Sequence, residues 1–256
     1  MLKAPHKALG FALIFLTRIP LPFEIEHKET LPVRASVFFP LVGLVLGILL
    51  ALLDYLFRLL LPLPVAAILL LISYIYLTGG LHLDGLLDTM DGLFSGRSGE
   101  EMQRIMKDSV NGSFATITAV LYLLLKFIIF WQLAGYWRLP GLIFFPVLSR
   151  FFMVVAMYRS PVAEGSSMAR SFGDDYPRIY LMLAAVVPLL VASLLWLAAL
   201  LPRYILFLQF LTGLLVIFLI SRVIISRLGG LTGDVYGMIN EATEAVILLI
   251  LILFQG

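Results

Sequence analysis

The chain has 256 residues, 61% of them hydrophobic and 13% charged, with a formal net charge of +2. Soluble domains run at about 45–50% apolar and about 25% charged residues, so lipid is the solvent that this apolar surface requires. The small net charge and the lack of a Lys/Arg-rich run exclude a nucleic-acid partner, and the absence of cysteine excludes disulfides, thiolate nucleophiles and Cys-ligated zinc.

In chain order, Lys3 and Lys7 precede a short apolar run over 8–16. Arg18, Pro20 and Pro22 follow it, without the small-residue pattern of a cleaved signal. The run is too short to span and predicts a helix lying on or dipping into the membrane. A span needs about 20 apolar residues. Seven stretches qualify: 36–57, 65–83, 113–134, 139–158, 179–200, 204–225 and 235–254. The predicted fold is therefore all-α: a polytopic helical bundle of seven transmembrane helices plus short interfacial helices. Residues 1–256 are read as a single integral-membrane catalytic domain, since neither a repeat nor a soluble domain is evident.

Lys and Arg set the orientation. Segments 1–35, 79–112, 159–178 and 221–233 carry thirteen of them, whereas the opposite connections carry three, Arg58, Arg138 and Arg203. The positive-inside rule then puts the N-terminus and the long polar segments in the cytoplasm, with the chain integral to the inner membrane. Every carboxylate cluster falls on that same side.

The most informative segment is Thr78-Gly-Gly-Leu-His-Leu-Asp-Gly-Leu-Leu-Asp-Thr-Met-Asp-Gly. Asp84, Asp88 and Asp91 stand at i, i+4 and i+7, one face of a helix. Three aligned carboxylates repel, and a divalent cation turns that repulsion into ligation; hard oxygen donors suit Mg²⁺ or Mn²⁺. An Asp at mid-bilayer costs about 2.5–3.5 kcal/mol, so three facing lipid would cost about 8–10 kcal/mol. They are expected at the cytoplasmic end of the second span or around a wet cavity. Gly79, Gly80, Gly85 and Gly92 would let backbone or ligand approach closely. His82 reads either as a hydrogen-bonded structural group or as a substrate contact. Ser98-Gly-Glu-Glu101 reads as a capping box opening an amphipathic interfacial helix with Met102, Ile105 and Met106 on its apolar face. Beside them Arg97, Arg104, Lys107 and Asp108 are candidate contacts to substrate or its phosphates, with a merely solvated role as the alternative.

A second acidic stripe opens the last span. Asp234, Glu241 and Glu244 fall at i, i+7 and i+10, and the two glutamates enter the apolar run by two or three turns. Ionisable groups at that depth are functional candidates facing the bundle interior. They complete a candidate metal set of Asp84, Asp88, Asp91, Asp234, Glu241 and Glu244; Asp84, Asp88, Asp91 and Glu241 are also candidate catalytic residues. Arg150, inside the fourth span, calls for an acid or a phosphate as partner; Arg222 and Arg227 flank the second stripe, and Arg150 and Arg222 are candidate substrate or phosphate clamps.

The Asp motif, Met106-Lys-Asp-Ser-Val-Asn-Gly-Ser-Phe, Leu231-Thr-Gly-Asp-Val-Tyr-Gly and the early Phe15-Leu-Thr-Arg-Ile-Pro-Leu-Pro resemble the cobalamin synthase (adenosylcobinamide-GDP ribazoletransferase) family. The resemblance covers the chain and departs from the family pattern at Met238 and Asn111. It implies a membrane-embedded, Mg²⁺-dependent phosphotransferase acting on adenosylcobinamide-GDP and α-ribazole or its 5′-phosphate. GMP would leave and adenosylcobalamin or its 5′-phosphate would form. Asp88-x-x-Asp91-Gly92 also matches part of the membrane CDP-alcohol phosphotransferase pattern. Ser95-Gly96 stands where Ala-Arg would follow, however, and the later Gly-x-x-x-Asp-x-x-x-Asp is missing. A cation-coupled transporter is the alternative from another class; its acids would sit at mid-membrane between repeats. Oligomeric state is left open, a homo-oligomer included.

Overall fold

The computed structural model describes residues 5–22, 31–110, 112–172 and 176–255. Lys3 and Asn111 lie outside the described residues. Helices run in the order α1 (Pro5–Leu16), α2 (Leu31–Ala35), α3 (Phe39–Leu60), α4 (Leu63–Thr78), α5 (Leu81–Phe94), α6 (Gly99–Met106), α7 (Ser113–Gln132), α8 (Arg138–Arg159), α9 (Ser167–Ser171), α10 (Arg178–Leu197), α11 (Arg203–Leu228) and α12 (Gly233–Phe254). Among the described residues the only β feature is a single bridge between Val162 and Leu231. Among the described residues six helices are long and apolar enough to cross a membrane, namely α3 with its α2 lead-in, α7, α8, α10, α11 and α12.

The second predicted span, 65–83, is corrected. Helix α4 stops at Thr78, and the chain turns by 89° into α5. Gly79 and Gly80 both adopt left-handed backbone, with φ of 67° and 71°, a conformation that opposes helix continuation and that glycine alone tolerates without strain. At 1.5 Å per residue the 16 residues of α4 reach about 24 Å, a little less than the hydrocarbon thickness of about 30 Å. The acidic stripe therefore sits on a separate helix lying across the bundle end, where it escapes the lipid penalty.

Contacts between remote segments define that end. The Arg18 amide donates to the Leu77 carbonyl, and the Arg227 guanidinium to the Arg97 carbonyl. Gln103 donates to the Glu164 carbonyl and Leu231 to the Pro161 carbonyl. The four basic segments thus gather on one face. The helix polarities that result are those required by seven crossings with α4 as the second.

Helix α8 is the centre. In it 83% of the apolar window is buried, against 22% in α7 and in α10, which present their leucines outward. Helix α3 docks on α8 through Gly43 and Gly47, where an added Cβ would collide with the Pro146 and Ile143 backbone. This is the small-residue spacing that lets membrane helices approach closely. At the far end, Asp54 of α3 accepts a bidentate pair from buried Arg138 at 2.7 and 2.5 Å.

Candidate active site

Helix α5 lies across the N-terminal ends of α7 and α12. Gly85 makes the second crossing possible: a Cβ there would come within 2.6 Å of the Asp234 carbonyl oxygen and 2.9 Å of its Cα. Gly237, one turn further on, faces the His82 backbone. These two glycines bring Asp84 of α5 and Asp234 of α12 to a shared cavity of about 130 Å³. The Thr232 hydroxyl caps α12 and hydrogen-bonds Asp234 Oδ2 at 3.3 Å. Burial, then the charges of Asp84, Asp234 and Asp91, push the Asp88 carboxyl up to about 7. Asp84, Asp88 and Asp234 form one group of like charges at the basic face of the bundle.

Asp91 turns elsewhere. Its carboxylate accepts the Gly112 amide at 2.5 Å and the Ala115 amide at 2.8 Å, so it caps α7 from another helix. Asp91→Ala is expected to destabilise the protein by about 1–2 kcal/mol, read as a lower thermal midpoint in detergent. Asp91→Asn should recover part of that loss, because an amide oxygen still accepts; an unchanged midpoint in Asp91→Ala would refute the capping role.

Glu241 and Glu244 lie deeper and have cationic partners. Lys126 Nζ donates to Glu241 at 2.7 Å and to Glu244 at 2.6 Å, and Arg150 Nη1 donates to Glu244 at 2.5 Å. Tyr122 and Tyr74 donate their hydroxyls to Glu241 and Glu244, each at 2.5 Å, and Asn240 donates to Glu244 at 2.9 Å. Two acids and two bases thus cancel within the membrane, and Lys126 also sits over the Tyr74 ring at 4.8 Å. The acid that Arg150 called for is Glu244. Sequence reasoning missed Tyr74 and Tyr122, whose hydroxyls are hidden in apolar runs, and gave Lys126 no role.

The basic candidates separate. Arg104 and Lys107 line a groove of about 670 Å³ together with Glu100, Asp108 and Glu164. Lys107 donates to the Gly165 carbonyl at 3.3 Å, and its charge reaches Asp234. Arg97 is exposed and pairs with Glu101 at 3.4 Å. Arg222 borders a different hollow with Arg159. The capping-box reading is corrected: Ser98 precedes α6 without a side-chain cap hydrogen bond, and Glu101 turns to Arg97 instead. His82 is also corrected as a hydrogen-bonded structural group. It is 3% exposed, and neither ring nitrogen has a hydrogen-bond partner among the described residues.

Among the described residues no three His, Asp or Glu side chains gather tightly enough to enclose a metal ion unaided. The donor set is nevertheless hard oxygen and crowded. That fits a Mg²⁺ ion held by one or two carboxylates and completed by substrate phosphates.

Comparison with known proteins yields a consistent result. The family model described as Cobalamin-5-phosphate synthase matches residues 8–252. A protein of Fusobacterium nucleatum named adenosylcobinamide-GDP ribazoletransferase is 36% identical, with 93% of this chain and 94% of that one aligned. Proteins of the same name from Desulfitobacterium hafniense and Desulforamulus reducens are 38% and 36% identical, over 95% and 97% of both chains respectively. No solved structure matches the chain. With a whole-length family match and relatives of this identity, the chain belongs to the cobalamin-5-phosphate synthase family.

Proposed function

We propose that the chain is an adenosylcobinamide-GDP ribazoletransferase of the cytoplasmic membrane, with its reaction centre at the cytoplasmic end of α5 and α12. The observation carrying this reading is the meeting of Asp84, Asp88 and Asp234 beside the groove of Arg104 and Lys107. It unites phosphate-binding cations with metal-binding acids, the two needs of a displacement at a pyrophosphate. In the reaction, a ribazole hydroxyl attacks the phosphorus bonded to cobinamide. The bond between the two phosphorus atoms' bridging oxygen and that phosphorus breaks, and GMP leaves with the electron pair.

Arg104 and Lys107 hold the nucleotide phosphates of the donor. Asp84 and Asp234, which approach from different helices, would hold Mg²⁺ with Asp88 beside them. A bound Mg²⁺ would supply neutralisation of the phosphate oxygens. One carboxylate of the group takes the hydroxyl proton as general base. Helix α5 keeps these acids fixed through its cap on α7 and its glycine crossing with α12. Glu241 and Glu244 position α12 through their ion pairs.

The test is GMP release by the detergent-solubilised chain given donor, α-ribazole or its 5′-phosphate, and Mg²⁺. Release is expected only with donor, acceptor and metal together. No release with all three present would overturn the reading. A cation-coupled transporter would release none.

The orientation we propose rests on the positive-inside rule applied to the thirteen basic residues of segments 1–35, 79–112, 159–178 and 221–233. Because the chain lacks cysteine, single thiols report it directly. Ser98→Cys should resist a membrane-impermeant maleimide in intact cells, and Tyr136→Cys, 71% exposed at the other end, should react. The reverse pattern would invert the topology.

A further inference from the structure

The cavity below the acids has a lining that phosphate chemistry does not explain. Phe15, Met153, Met157, Phe172 and Tyr236 form its walls, and Asp84 and Asp234 lie together at its polar side. His82 also lines it, but both of its ring nitrogens are buried out of reach of the cavity. The volume of about 130 Å³ approaches the roughly 150 Å³ of an engineered apolar cavity that takes up benzene. Methionine sulfur and aromatic rings make favourable contacts with an aromatic guest. The guest is therefore flat, aromatic and weakly polar.

This inference rests on the transferase reading, which brings three large groups to the site. A corrin is far too big for the cavity. Guanine carries donors and acceptors around its edge, and most would be buried without partners. The benzimidazole of ribazole has an apolar edge and one unsubstituted ring nitrogen. We propose that the cavity seats the benzimidazole base of the acceptor. The ribose then emerges beside Asp84 and Asp234. The attacking hydroxyl is then delivered to the acids by the ring's own anchoring.

Met168 also lines the cavity and is 45% exposed. Met168→Cys gives the full chain a single thiol. α-Ribazole is expected to slow alkylation of that thiol by about tenfold or more near saturation, and GMP is expected to leave the rate unchanged. Met157→Trp, which fills the cavity, should weaken α-ribazole binding by about tenfold or more, the range a single misfitting methylene can produce. Retained affinity for the donor reports that this variant is folded. Unchanged alkylation with α-ribazole, or protection by GMP instead, would overturn the proposal, as would folded Met157→Trp with undiminished affinity for α-ribazole. Protection without GMP release keeps the cavity assignment and removes the transferase reading; GMP release without protection does the reverse.

Discussion

Asp84→Asn should lower the rate of GMP release by about 10²–10³-fold, the loss that follows removal of one preorganised electrostatic group. Asp84 is the acid that both joins Asp234 at the cavity and adds to the field on Asp88. An amide of the same shape keeps the packing and removes the charge. The thermal midpoint is expected to hold or rise, because two like charges no longer face each other. Raising Mg²⁺ should restore part of the rate if Asp84 holds the metal. Turnover within a few-fold of the parent at normal expression would end the assignment.

The largest stability effect is expected at Glu244. Its carboxylate is fully buried and serves Lys126, Arg150, Tyr74 and Asn240 together. Glu244→Leu leaves Arg150 without its acid and Lys126 with Glu241 alone. Breaking a buried pair from one side costs about 3–5 kcal/mol, comparable to a large part of a domain's stability. The variant should lose its folded fraction in detergent, seen as an early-melting or aggregated species on size exclusion. Replacing both partners is milder than replacing one. Glu244→Leu combined with Arg150→Met should therefore recover much of the midpoint. A double variant no more stable than the single one would show that the pair is not what holds α8 to α12.

The long apolar runs made the spans legible, and the basic residues made the common face legible, because both signals are sums over many residues. The stripe of Asp84, Asp88 and Asp91 was legible as a helical face for the same reason of period. Its placement was not. Gly79 and Gly80 look like tolerated interruptions in a hydrophobic run, and only left-handed backbone at both turns them into a right angle. The partners of Glu241 and Glu244 were hidden because Lys126 and Arg150 sit on other helices, at separations that no periodicity encodes. Asp54 and Arg138 were hidden likewise: one ends an apolar helix, and the other reads as a loop charge. Ser98 and Glu101 had the right spacing for a reciprocal cap, but the neighbouring Arg97 was the stronger partner for the acid.

The neutral quartet has a consequence for how the protein is made. Synthesis delivers Lys126 and Arg150 on α7 and α8, whereas their acids arrive later, on α12. Until then each cation at mid-membrane carries a penalty of about 2.5–3.5 kcal/mol on insertion scales. The nascent bundle is therefore expected to stay unfinished until α12 arrives and its two glutamates close it.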